Sequence, residues 1–98
     1  MTYRSRKLLD ICHEAPCFLQ IAVPCGNFAS VPVHSDMLRH GRGVGHKSHD
    51  CLAVPGCPDC HAVFTREYLG KGGYEAIWVT AMERYLVWLW ESERIKIA

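Results

Sequence analysis

Three things are scarce in this sequence, and each absence removes a class of function. No stretch approaches the roughly 18 consecutive apolar residues that a membrane-spanning helix needs, so no membrane association is expected. Neither sign of charge dominates: 11 Lys/Arg stand against 10 Asp/Glu, a formal net charge of +1. That balance excludes both a solvated acidic tail and a protein that coats nucleic acid by bulk charge. Internal repeats and low-complexity segments are missing too, so a solenoid or a disordered linker is not in view. The start, Met1 to Lys7, is basic, but no apolar run of seven or more follows it, so a secretory leader is not expected. The expected compartment is therefore the reducing cytosol, where thiols stay free.

What remains is 98 residues, the length of one domain, 1–98. A chain this short buries about two-thirds of its unfolded surface, and such domains often recruit a metal or disulfides. Six cysteines make both options concrete. The compartment argument favours metal. Charge is uneven at finer scale: residues 1–50 hold six Lys/Arg against four Asp/Glu and five of the six histidines, and residues 51–98 hold five against six. The front half is the place to look for phosphate contact.

Cys57-x-x-Cys60 is the firmest local signal, because two thiolates three positions apart on a turn entering a helix can face one ion. A tetrahedral zinc needs two more ligands from Cys12, Cys17, Cys25 and Cys51. Cys17 and Cys25 flank a short segment that could bring their sulfurs together. Cys12 and Cys17 are the competing pair, and the residues alone leave that choice open. Cys51 sits in an apolar run and reads as a buried, inert thiol. Cys57 to His61 also matches the CxxCH pattern of c-type haem attachment, which requires export and leaves four cysteines unexplained. A thioredoxin-like use of CxxC would need a surrounding βαβ pattern, and there is none.

Along the chain, residues 4–13 carry Leu8, Leu9 and Cys12 at helical spacing, stopped by Pro16. Phe18 to Val23 is an apolar run rich in β-formers, and Ser30 to His34 reads as a second short strand. Residues 35–50 form a long loop with Gly41, Gly43 and Gly45, a length that usually serves function. A helix is expected from about Asp59 to Tyr68. The strongest helix follows, with Tyr74, Ile77, Trp78, Met82, Tyr85, Leu86 and Leu89 on one apolar stripe. Trp78, Trp88 and Trp90 cannot share one face, which points to a homodimer contact or a packing role for the C-terminal tail.

The ordered set Cys17…Cys25, Pro32-Val-His34, Gly43-Val-Gly45-His-Lys47-Ser-His-Asp50, Cys57-Pro-Asp-Cys60-His61 and Trp88-Leu-Trp90 resembles the small prophage-encoded nucleases of the YbcO-like family. These are related to HNH (His-Me finger) endonucleases and to the phage nuclease Ref. The resemblance covers roughly residues 6–98. It implies an α+β fold: a small zinc-stabilised ββα-metal, HNH-like domain with an added C-terminal amphipathic helix. It selects Cys17 and Cys25 as partners of Cys57 and Cys60 around a structural Zn²⁺. The implied activity is metal-dependent hydrolysis of DNA phosphodiesters in phage recombination or DNA processing, with DNA and a recombination protein as partners.

Carried over by position, His34 would be the general base that takes a proton from the attacking water. Asp50 would orient His34 or help bind a catalytic Mg²⁺ or Mn²⁺, and His61 would ligate that ion. Two positions depart from the pattern: Val33 where many HNH sites carry a ligand just before the base, and Thr65 where some carry one a turn beyond the helix histidine. His46 and His49 are left to fill in. Arg39, Arg42 and Lys47, on the glycine-rich loop, are the natural phosphate contacts, with Arg4, Arg6 and Lys7 as a second set. The alternative is a non-catalytic zinc module that binds DNA or a host protein. In that case the histidines are hydrogen-bonded surface residues and the basic side chains a solvated face.

Overall fold

The computed structural model describes residues 2–28 and 30–98. Its elements are α1 (Arg6–Glu14), β1 (Val31–His34), β2 (Ala53–Gly56), α2 (Pro58–Tyr68) and α3 (Tyr74–Glu91), an α+β arrangement. The strands pair antiparallel, with Val31 opposite Gly56 and His34 opposite Ala53. At the centre of this ladder Pro32 faces Pro55, two residues without an N–H, so the sheet stays small. None of these helices is long and apolar enough to cross a membrane.

Each helix starts where local chemistry satisfies its first N–H groups. Ser5 caps α1, its hydroxyl accepting from the Leu8 amide at 3.3 Å. Cys57 caps α2 through its sulfur, with Pro58 at the first helical position. Gly73 precedes α3 at φ 91, a left-handed conformation open to glycine at little cost. α3 then spans two small cores. Trp78 and Ala81 pack with Cys17, Leu19, Val33, Val54, Cys57, Cys60 and Phe64. Tyr85 and Leu89 pack with Cys12 and Ala15 of the first helix region. The Trp78 indole N–H donates to the Val33 carbonyl at 3.2 Å, which fixes α3 across β1.

Three expectations are corrected. Phe18 to Val23 is not a strand: only Phe18 reaches β2, donating to the Pro55 carbonyl at 2.9 Å, and the chain then turns at Gln20 (φ 51). Cys51 is exposed, because the short 3-10 turn Asp50–Leu52 rotates Asp50 inward and Cys51 outward. On α3, Leu86 is 44% exposed and Ala81 takes its place in the core. Of the tryptophans, Trp78 is buried, Trp90 is exposed, and Trp88 is half-covered by the Arg94 guanidinium lying 4.5 Å from its ring centre.

Candidate metal centre and adjoining cavity

Cys17, Cys25, Cys57 and Cys60 converge, their sulfur atoms all within 4.8 Å of one another. The Cys25–Cys57 and Cys60–Cys25 separations are 4.0 and 3.6 Å. A tetrahedron of sulfurs at the usual zinc–thiolate bond length has edges of roughly 3.8 Å, so the cluster could hold a metal ion such as zinc. The competing partner is elsewhere: Cys12 lies on α1 with its sulfur 3.5 Å from the Tyr85 hydroxyl.

The backbone is arranged around these sulfurs. Ile21 and Ala22 each donate an amide N–H to Cys60 Sγ at 3.3 Å, Gln20 donates to Cys17 Sγ at 3.5 Å, and Cys60 donates to Cys57 Sγ at 3.4 Å. Such donors favour thiolate. Burial pushes the Cys57 thiol up, but the N–H groups of Cys60, Gly26 and Asn27 outweigh it and bring Cys57 down to about 6. Burial and the neighbouring sulfurs drive Cys25 up to about 12. Four thiols this close cannot all ionise without a cation among them, which is the chemistry of a metal site.

The second constellation lies at the end of β1 and ahead of β2. His34 is the last residue of β1, and the 3-10 turn before β2 brings Asp50 beneath it, with His34 Nε2 2.9 Å from Asp50 Oδ1. Asp50 is only 6% exposed, and it also accepts from the Arg4 guanidinium (3.1 Å) and the Ser5 amide (2.8 Å). Burial raises its carboxyl, but the His34, Ser5 and Arg4 hydrogen bonds prevail and hold it below its ordinary value. Asp50 is therefore ionised and acts only as an acceptor, so His34 Nε2 carries a hydrogen and donates it.

His34 opens onto a cavity of about 340 Å³ that it shares with His61 from α2 and with Arg42, His46 and Lys47 from the long loop. This cavity unites five of the residues singled out in the sequence, His34, His61, Arg42, His46 and Lys47, and three that lie outside it are informative. Asp50 does not line it, and three donors, from Arg4, His34 and Ser5, already occupy its oxygens. Arg39 points away and pairs with Glu75. His49 is engaged elsewhere, its Nδ1 accepting from the Tyr3 amide at 2.8 Å. Arg42 is held in place by Asp36 (2.8 Å) and the carbonyls of Gly43 and His46. Val33 is buried in the core, and Thr65, one turn beyond His61, borders an adjoining depression. Sequence reasoning missed Arg4 as a partner of Asp50. The pair is separated by 46 positions, and no local pattern links them.

Comparison with known proteins finds no matching family, no matching curated protein and no matching solved structure.

Proposed function

We propose that this protein is a zinc-stabilised, HNH-type (His-Me finger) endonuclease of phage or prophage origin that hydrolyses DNA phosphodiesters. One observation carries the reading. A strand-end histidine, oriented by a buried carboxylate, shares a basic cavity with a helix histidine that directly follows a cysteine of the metal cluster. In this scheme His34 Nδ1 takes a proton from water while Asp50 keeps the ring in one tautomer and stabilises the resulting imidazolium. Arg42 and Lys47 hold the flanking phosphate oxygens. A Mg²⁺ or Mn²⁺ ion, when bound, would supply charge to the scissile phosphate and its leaving 3′-oxygen, with His61 as its protein ligand. Cys17, Cys25, Cys57 and Cys60 would hold the zinc, and with it bound they would fix the first turn of α2 and so the position of His61.

A second reading, a zinc module that binds DNA without cutting it, is favoured by one observation. Among the described residues the four cysteines are the one group of three or more ligands close enough to share an ion. A nicking assay on supercoiled plasmid separates the two. The zinc-loaded protein is expected to nick with added Mg²⁺ or Mn²⁺, and His34→Ala and His61→Ala to retain DNA affinity while losing roughly 100-fold or more in rate. Intact plasmid with every divalent ion, alongside normal DNA binding, would decide for the binding module.

A further inference from the structure

The N-terminal segment does something that neither reading uses. Arg4 spans the chain to residues 47–50, its Nη1 donating to the Ser48 carbonyl (2.6 Å) and Asp50 Oδ1 (3.1 Å), and its Nη2 to the Lys47 carbonyl (2.8 Å). Its neighbours reinforce the grip. The Tyr3 amide donates to His49 Nδ1 and the Tyr3 carbonyl accepts from the Asp50 amide at 2.9 Å, while the Ser5 amide holds Asp50 Oδ2. Residues 3–5 thus clasp the segment that delivers Lys47 to the cavity and Asp50 to His34. Among the described residues that segment pairs in no strand before Ala53, although the His49 amide donates to the His40 carbonyl at 3.1 Å and the Leu52 carbonyl accepts from the Ser35 amide at 3.0 Å.

We infer that Arg4 is a positioning residue for His34: acting through Asp50, it fixes the carboxylate oxygen that holds the imidazole as its Nε2–H tautomer. The inference rests on the proposed role of His34 as base. The geometry separates this role from that of a phosphate contact. Arg4 does not line the cavity, and its guanidinium is turned onto two carbonyls and a buried carboxylate. Asp50 Oδ1 accepts from Arg4 and His34 together. When the guanidinium is removed, Oδ1 and the carbonyls of residues 47 and 48 lose their common donor. The Ser5 amide and the Tyr3 carbonyl still hold Asp50, so what is lost is the restraint on Oδ1, and its contact with the ring loosens.

The test compares wild type, Arg4→Met and Arg4→Lys as zinc-loaded protein, reading the His34 ring nitrogens by ¹⁵N NMR and plasmid nicking by kcat and KM. Wild type is expected to show a single Nε2–H tautomer with a slowly exchanging ring proton. In Arg4→Met that proton is expected to exchange away and the two nitrogen shifts to converge. kcat should then fall roughly 10- to 100-fold, part of what a general base supplies, with KM nearly unchanged. Arg4→Lys should restore part of both signals. An unchanged His34 spectrum in Arg4→Met, or a rise in KM with kcat intact, would overturn the assignment and make Arg4 a simple charge or a phosphate contact. If Arg4→Met does not take up zinc, Arg4→Gln, which keeps a neutral donor, carries the same reading. If wild type never nicks but the ring proton is present and is lost in Arg4→Met, the clasp stands and the nuclease reading falls.

Discussion

Asp50 is a carboxylate almost wholly removed from water, and what keeps it charged is the set of three donors around it. Replacing it with Asn keeps the shape, but its amide must turn a donor toward a group that already donates. We expect Asp50→Asn to cost roughly 1–3 kcal/mol at pH 7, the scale for disturbing a buried, charge-assisted hydrogen bond, measured by urea unfolding. The pH dependence has a definite sign. The folded-state pKa lies below 3.8, so the carboxylate's contribution is fully present above that value and is lost as pH falls through the lower, folded one. The stability gap between wild type and Asp50→Asn should therefore close progressively as pH falls below 3.8. Release of metal at low pH is common to both chains and cancels in the difference. A gap that fails to close below pH 3.8 would mean Asp50 is not the paired carboxylate described.

At the scale of elements, the sheet is held by fit more than by extent. A Cβ placed on Gly56, the last residue of β2, would come within 2.7 Å of Leu19 Cδ1 and 3.0 Å of Val33 Cγ2. Both neighbours are buried, so Gly56→Ala should overpack this junction and lower stability by roughly 1–3 kcal/mol, read as a fall in Tm with metal content intact. The same junction explains which elements were legible in the sequence. α3 was readable because a stripe at helical spacing runs from Tyr74 to Leu89, and α2 was placed to within a residue, from about Asp59 in the sequence against Pro58 in the fold. Phe18 to Val23 has strand composition, yet the amides of Ile21 and Ala22 are spent on Cys60 sulfur, a demand set by the metal site and invisible to propensity. β2 contains Pro55-Gly56, which reads as a turn. It is a strand because it lies opposite β1, with Pro55 accepting from Phe18 on its other edge. The cysteine pair and the histidines were found by type and spacing, whereas Arg4 was out of reach because its role comes from the folded path of residues 47–50.

For the whole molecule the question is what joins the two cores. The core around Cys12, Ala15, Tyr85 and Leu89 closes by apolar contact between α1 and α3. The other contains the four clustered sulfurs, and the chain from Cys17 to Cys25 that supplies two of them has neither helix nor strand. A metal held by the four sulfurs would then be a restraint on that segment, and the cysteines divide into two classes. Cys17→Ser should abolish stoichiometric zinc, while Cys12→Ser and Cys51→Ser should each keep one zinc per chain by elemental analysis. Loss of zinc from the Cys51 variant would contradict its exposed position away from the cluster.

Removal of the ion should also act unevenly. Structural zinc commonly contributes on the order of 10 kcal/mol to a small domain, and here that contribution enters through one core. In chelator, the amide protons of Ile21 and Ala22, whose acceptor is Cys60 sulfur, should lose hydrogen-exchange protection first, along with the first turn of α2. The end of α3 around Tyr85 and Leu89 should hold protection longer, because its contacts with α1 involve none of the four sulfurs. His61 follows Cys60 directly, so the cavity would lose one wall before the fold as a whole gives way. Equal and simultaneous loss of protection in both cores would show instead that α3 couples them into a single cooperative unit.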